Sequence, residues 1–195
     1  MNLPNKLTIG RIILAPIFMI FLLINNPYSQ YLATFIFILA ALTDIYDGHL
    51  ARKTGVITGF GKFMDPLADK VLVSTAFISF VALGYVQTWM VLLIVLREFL
   101  LTGFRSLAAY KGVVISPSYL AKSKTVCQMT VIIIILLYVN LKSILPPLGY
   151  NWSIFTTDSA FHAFDIMVFV TMLLTLGSGI DYLIKNAFLL KGVLK

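Results

Sequence analysis

The chain has 195 residues, of which 59% are hydrophobic and only 12% are charged. A soluble domain usually carries about 25% charged residues, so this balance excludes an ordinary soluble protein and predicts a membrane protein. Lysine and arginine number 15 against 8 aspartates and glutamates, which gives a net charge of +7. Cys127 is the single cysteine, so the chain has no internal disulfide.

Apolar stretches set the predicted architecture. A helix needs about 20 apolar residues to cross a hydrocarbon core of about 30 Å. The sequence offers about six such stretches, which predict an all-α integral membrane protein with about six transmembrane helices in one bundle and a single domain, 1–195. The stretches span residues 8–24, 31–52, 65–85, 89–110, 120–141 and 161–185.

The basic residues are distributed asymmetrically about these helices. They fall near both termini and in the second and fourth loops, whereas the loops on the opposite side offer only Lys142. The positive-inside rule therefore predicts that both termini face the cytoplasm, in a multi-pass protein of the cell membrane. The same basic face favours anionic lipids and phosphorylated substrates, and nothing in the sequence indicates a nucleic-acid partner.

The ionisable residues crowd toward the cytoplasmic ends of the predicted helices. With a rise of about 1.5 Å per residue, Asp44 lies roughly 12 Å deeper than Arg52 on a continuous helix. Acids at that depth are unfavourable unless they are paired, hydrated or bound to metal, which makes them functional candidates.

Four acids follow helical spacing in two neighbouring segments. Asp44 and Asp47 are spaced i, i+3, and Asp65 and Asp69 are spaced i, i+4, so each pair shares one helix face. A cluster of carboxylate oxygens without histidine or cysteine suits Mg²⁺ or Mn²⁺, and two such ions can clamp both oxygens of a phosphoryl displacement. Asp65-Pro66 also predicts a helix start, with Asp65 as the N-cap.

These residues resemble a known family. The pattern Asp44-x2-Asp47-Gly48-x2-Ala51-Arg52-x8-Gly61-x3-Asp65-x3-Asp69 is similar to the signature of the CDP-alcohol phosphatidyltransferases, without a departure. The resemblance implies a six-helix fold, a homodimer, and a CDP-linked lipid donor such as CDP-diacylglycerol. It also implies two divalent metal ions, Mg²⁺ or Mn²⁺, per active site.

The resemblance assigns roles by position. The metal ligands would be Asp44, Asp47, Asp65 and Asp69, with Asp69 also acting as the catalytic general base. The segment 5–11 is similar to the family's cytidine-side element. The residues expected to bind the CDP-lipid are Asn5, Thr8, Gly48, Ala51, Arg52 and Gly61.

The acceptor is predicted from a second group of residues. Arg97, Arg105, Lys122 and Lys124 supply more positive charge than an uncharged alcohol needs, which favours a phosphorylated acceptor. The stretches around them resemble the branch of the family whose acceptor is glycerol 3-phosphate. An inositol phosphate acceptor remains the alternative.

Other polar groups have simpler interpretations. Glu98 is either a structural partner inside the bundle or part of the site. Asp181 and Lys185, at i, i+4, predict a solvated ion pair. The small residues Gly177-Ser178-Gly179 predict a close contact between helices, within the chain or between protomers.

Two functions of other classes share some of these features. A divalent cation transporter would also place acids in a helical bundle, but with polar residues near the bilayer midplane and access from both sides. A structural membrane scaffold would need no acidic cluster and would tolerate Asp→Asn at each site. Nucleotide-dependent turnover separates an enzyme from both.

Overall fold

The computed structural model describes the backbone of residues 3–54, 59–110, 119–145 and 159–193, and the side chains at 7–44, 64, 66–109, 122–145 and 160–185. Helices are the only regular secondary structure in these residues, as the sequence predicts. The helices are α1 Leu3–Leu23, α2 Pro27–Thr54, α3 Gly59–Ala82, α4 Thr88–Tyr110, α5 Tyr119–Ile144 and α6 Ser159–Val193.

Local sequence explains where two of these helices begin and end. Asn26 Oδ1 accepts a hydrogen bond from the Tyr28 amide at 2.9 Å, and Pro27 occupies the first position of α2, so an Asn-Pro cap starts the helix. Gly84 has a φ of 75° just after α3. Its amide donates to Val81 and the next amide donates to Phe80, which is the Schellman arrangement that glycine permits.

The start of α3 differs from the sequence-based prediction. Helix α3 begins at Gly59, so Pro66 lies inside it and Asp65 is not an N-cap. A proline inside a helix removes one backbone donor, and the turns on either side of Pro66 nevertheless remain helical. The prediction that α3 starts at Asp65-Pro66 is therefore wrong, whereas Asp65 and Asp69 do share one helix.

Packing places α1 against α2 and α3, α6 against α4 and α5, and α3 against α4. Large apolar side chains fill the interior, and several are fully buried: Phe18, Phe37, Phe77, Phe80, Ile94, Ile132, Ile135 and Val168. The phenylalanine rings of Phe18 and Phe37 join α1 to α2 with centroids 5.4 Å apart.

The outer faces of the helices are also apolar. Large side chains such as Phe35, Leu92 and Ile184 are 62%, 63% and 72% exposed. Two stretches within the described residues, Lys122–Ile144 and Ala160–Lys185, are long and apolar enough to cross a membrane, and Leu7–Leu23 is a shorter apolar helix. The number of helices agrees with the sequence, and six membrane crossings stay a prediction.

Candidate active site

The four signature acids lie on two helices. Asp44 and Asp47 belong to α2, and Asp65 and Asp69 belong to α3. The side chains of Asp47 and Asp65 lie outside the described residues, so the structure reports on Asp44 and Asp69. The same holds for five positions predicted to bind the CDP-lipid, whose backbones belong to α1, α2 and α3: Asn5, Gly48, Ala51, Arg52 and Gly61.

Helix α1 contributes a buried cation beside the first acid. Arg11 is 1% exposed, and its Nη1 atom lies 2.5 Å from Asp44 Oδ1. Thr8, one turn earlier on α1, is fully buried. The ion pair places the segment that contains Thr8 and Arg11 next to the acidic end of α2.

The acid on α3 has a basic neighbour that the sequence analysis did not single out. Lys70 Nζ lies 2.7 Å from Asp69 Oδ2 and 3.5 Å from Glu98 Oε2 on α4. Lys70 therefore connects the predicted general base to a second polar cluster. Its position beside Asp69 in the signature was the only available signal, because the contact with α4 needs the tertiary fold.

Glu98 is the centre of that cluster. It is 3% exposed, and Oε1 accepts hydrogen bonds from Arg97 Nη1 at 3.0 Å, from Gln128 Nε2 at 3.4 Å and from Lys124 Nζ. A buried carboxylate needs such partners, since an unpaired charge in the interior costs several kcal/mol. The structure therefore shows Glu98 as a partner inside the bundle, and Glu98 also lines a cavity.

A cavity of about 360 Å³ opens beside Glu98. All four residues predicted to hold the acceptor phosphate line it: Arg97, Arg105, Lys122 and Lys124. Lys70, Glu98 and Thr102 line it as well. The fold therefore brings together cations from α3, α4 and α5 around one concave space, with a single described carboxylate among them.

Helix α6 supports the two arginines from behind. Ser178 Oγ accepts a hydrogen bond from Arg97 Nη2 at 2.7 Å. The Arg105 guanidinium lies over the Tyr182 ring, 5.4 Å from its centroid. The predicted close contact between helices is confirmed within the chain at Ser178 and Gly179, which both touch Arg97 on α4.

The carboxylate side chains of the signature are of the type that binds a hard divalent cation. Among the residues that the structure describes, no three His, Cys, Asp or Glu side chains gather as a metal-binding group, and Asp47 and Asp65 fall outside them. Asp44 and Asp69 remain partly exposed, at 45% and 32%, so their oxygens are accessible. Carboxylate oxygens are the ligands that Mg²⁺ and Mn²⁺ prefer, and a metal centre built on all four acids stays a prediction.

The predicted ion pair between Asp181 and Lys185 on α6 is confirmed, and neither residue lines the cavity. Lys185 Nζ lies 2.8 Å from Asp181 Oδ1, and Lys185 is 64% exposed. An exposed pair of this kind contributes at most about 1 kcal/mol. Asp181 is therefore a useful control position for the signature acids.

Comparison with known proteins agrees with the sequence signature. The profile of the family described as CDP-alcohol phosphatidyltransferase matches residues 1–176. The CDP-diacylglycerol--glycerol-3-phosphate 3-phosphatidyltransferase of Bacillus subtilis (strain 168) is 38% identical over 197 residues, covering 95% of each chain.

Two further relatives cover less of the chain. The Rickettsia bellii (strain RML369-C) protein of the same name is 43% identical over 136 residues, which is 70% of this chain and 75% of that protein. A protein of Mycobacterium tuberculosis (strain CDC 1551 / Oshkosh), named probable phosphatidylglycerophosphate synthase, is 39% identical and covers 67% and 64%. By the profile match and by these identities, the chain belongs to the CDP-alcohol phosphatidyltransferase family.

Proposed function

We propose that the protein transfers the phosphatidyl group of CDP-diacylglycerol to sn-glycerol 3-phosphate, giving phosphatidylglycerol phosphate and CMP. Relatives that are 36% to 43% identical carry the name of this activity. The observation that carries the proposal for this chain is the cavity beside Glu98, where four predicted phosphate-binding cations meet. Its volume of about 360 Å³ lies in the range typical of small-molecule sites.

The cavity adjoins the predicted general base. Lys70 lines the cavity and also contacts Asp69. An acceptor whose phosphate is bound by Arg105, Lys122 and Lys124 therefore has its hydroxyl groups within the same region as Asp69. Holding the two reactants together in this way supplies much of the rate enhancement in phosphoryl transfer.

The proposed reaction is an in-line displacement. The acceptor hydroxyl attacks the phosphorus that carries the diacylglycerol, a new P–O bond forms, and the bond to the CMP oxygen breaks. Asp69 takes the proton of the attacking hydroxyl. Metal ions held by Asp44, Asp47, Asp65 and Asp69 would neutralise charge on the donor diphosphate. Arg97, Arg105, Lys122 and Lys124 bind and orient the acceptor.

The buried charges argue against a cation transporter. The charged side chains that are buried in the described part of the chain are Arg11, Arg97, Glu98 and Lys124. Three of these four are cations, and cations lining a path oppose the passage of a divalent cation. The same residues suit the phosphate groups of a donor and an acceptor.

A panel of acceptors tests the proposal. Purified protein is incubated with CDP-diacylglycerol and Mg²⁺ and with glycerol 3-phosphate, glycerol, serine, inositol or inositol phosphate, and the lipid product is identified by mass spectrometry. We expect phosphatidylglycerol phosphate and CMP, no turnover after chelation, and recovery on adding Mg²⁺ or Mn²⁺. Equal use of free glycerol or serine would contradict the phosphate site, whereas preference for inositol phosphate would keep it and change the acceptor.

The membrane arrangement completes the proposal. Two apolar stretches long enough to span a bilayer, the exposed apolar faces and the one-sided basic residues support a six-span domain in the cytoplasmic membrane. The active site would face the cytoplasm, where anionic lipids surround it. In a variant without Cys127, single cysteines replacing Lys53 and Lys111 should react only from the cytoplasmic side, and one replacing Lys142 only from outside.

The family resemblance also predicts a homodimer. Chemical crosslinking of the protein in native membranes should give a species of twice the monomer mass. The yield should stay constant when the protein is reconstituted at higher lipid-to-protein ratios, because dilution within the bilayer removes only chance encounters. Crosslinks that disappear on dilution would contradict the dimer.

A further inference from the structure

One face of α6 contacts both arginines of the cavity without lining the cavity itself. The residues on this face are Ser178, Gly179 and Tyr182, spaced within about one helical turn. Arg97 lies against the first two and Arg105 against the third. We call these three residues the α6 platform.

Ser178 fixes the plane of the Arg97 guanidinium. Nη2 of Arg97 donates to Ser178 Oγ at 2.7 Å, while Nη1 donates to Glu98 Oε1 at 3.0 Å. Ser178 is 2% exposed and also donates to the Thr175 carbonyl at 2.9 Å. Two anchors on different nitrogen atoms leave a planar guanidinium with one orientation.

Gly179 sets how closely α6 approaches the stem of Arg97. A methyl group added at Gly179 would lie 3.0 Å from Arg97 Nε, 3.4 Å from Arg97 Cγ and 3.6 Å from Leu101 Cδ1. The first two contacts are tight, so Arg97 would have to shift by a few tenths of an ångström. A methyl group at Gly177 would meet nothing within 4 Å, which makes Gly177 a matched control on the same helix.

Tyr182 provides the corresponding support for Arg105. The guanidinium carbon lies 5.4 Å from the ring centroid, within the range of a cation–π interaction, and Tyr182 is 7% exposed. The ring therefore forms a rigid surface behind a long, flexible side chain. Arg105 in turn lines the cavity.

We propose that the α6 platform is a positioning element, which holds Arg97 and Arg105 in the orientation that binds the phosphate of the acceptor. This inference rests on the proposed function. The platform residues touch neither substrate. They act through the two arginines and so affect acceptor binding more than donor binding.

The test compares two alanine substitutions two residues apart. Gly179→Ala should raise the KM for glycerol 3-phosphate by about tenfold, the size expected when one charge-assisted contact is lost. The kcat and the KM for CDP-diacylglycerol should change by less than about twofold, because the donor contacts lie on other helices. Gly177→Ala should leave all three constants unchanged.

A double mutant separates positioning from general destabilisation. If Gly179 acts through Arg97, adding Gly179→Ala to Arg97→Ala should raise the KM for glycerol 3-phosphate no further. Ser178→Ala should raise the KM for glycerol 3-phosphate as Gly179→Ala does. If Gly179→Ala does not fold, Ser178→Ala replaces it in the test. Tyr182→Phe removes the hydroxyl group but keeps the ring, so it should raise the KM for glycerol 3-phosphate less than Tyr182→Leu does.

Three results would overturn the inference: an unchanged KM for glycerol 3-phosphate in Gly179→Ala and Ser178→Ala, an equal rise in the donor KM, or full additivity with Arg97→Ala. A wild-type protein that does not use glycerol 3-phosphate would instead overturn the proposed function. Calorimetry with inorganic phosphate then tests the platform alone. Binding should be weaker in Gly179→Ala than in Gly177→Ala, and equal binding would refute the positioning role.

Discussion

The acidic ends of α2 and α3 and the basic cavity beside them hold charge in opposite ways. Asp44 and Asp69 are 45% and 32% exposed, and among the described side chains Asp44 pairs with Arg11 and Asp69 pairs with Lys70. Glu98 is 3% exposed and has Lys70, Arg97 and Lys124 within 3.5 Å or less. The first region offers accessible negative oxygens, whereas the second keeps a buried anion among an excess of cations.

Under the proposed function, the first region would bind the donor and the second region would bind the acceptor. Accessible carboxylates suit metal ions that hold a diphosphate, and surplus cations suit a phosphate dianion. The buried carboxylate lets several cations stay close together before the acceptor arrives. Lys70 belongs to both regions and joins them.

Removing an acid from the first region should have the largest effect. Asp69→Asn should lower kcat by about 10² to 10⁴-fold, because the amide cannot accept the proton of the attacking hydroxyl. Asp44→Asn should also abolish most turnover by weakening metal binding. Product formation from CDP-diacylglycerol and glycerol 3-phosphate measures both.

The matched control for these variants is Asp181→Asn, which removes an exposed ion pair on α6. It should retain wild-type kcat, and all three variants should purify in similar yield. Turnover at the wild-type rate in both Asp44→Asn and Asp69→Asn would refute the metal-ligand and general-base roles.

Neutralising the anion of the second region should affect stability as well as binding. In Glu98→Gln, buried Arg97 and Lys124 lose their counter-charge, and breaking a buried ion pair in this way costs about 3 to 5 kcal/mol. The thermal midpoint in detergent should fall. Phosphate should restore part of it, because a bound anion replaces the missing negative charge.

The prediction is tested by the rise in thermal midpoint that phosphate produces in Glu98→Gln and in the wild type. Inorganic phosphate should raise the midpoint of Glu98→Gln more than that of the wild type. Equal shifts would mean that the cations around Glu98 do not face the phosphate site. An unchanged midpoint without phosphate would contradict the role of Glu98 as their counter-ion.

The two regions also differ in how far the sequence predicts them. The acids lie close together in the chain, and helical spacing alone predicts that each pair shares one face, so residues 44–69 are enough to predict their grouping. The cations of the cavity can be identified from the sequence because basic residues are conspicuous in apolar helices. The contact between Ser178 and Arg97 cannot be predicted in this way, because the two residues lie 81 positions apart and only packing joins them.

Helix ends were predicted less well than helix identity. The apolar stretches gave the number and order of the helices, but α3 starts before Asp65 and α6 continues to Val193. Polar residues at a helix end can continue the helix or leave it at similar free energy, so hydropathy alone does not fix the boundary.

Removing a cation from the cavity should have a moderate effect that separates acceptor from donor. Arg105→Ala or Lys122→Ala should raise the KM for glycerol 3-phosphate about tenfold, with little change in the KM for CDP-diacylglycerol. Lys124→Ala should raise it too and also lower the thermal midpoint, because Lys124 is buried against Glu98. Variants that weakened only donor binding would assign these cations to the CDP-lipid.

Salt should produce the smallest effect and distinguish the exposed cation from the buried ones. Lys122 is exposed at the cavity, whereas Lys124 and Arg97 are buried. The Debye length falls from about 10 Å at 0.1 M to about 3 Å at 1 M, which screens exposed charges far more than buried ones. The wild-type KM for glycerol 3-phosphate should therefore rise by about twofold to threefold over this range. In Lys122→Ala the rise should be smaller, whereas in Lys124→Ala it should persist. A salt dependence that is the same in Lys122→Ala as in the wild type would mean that Lys122 contributes no charge to the acceptor site.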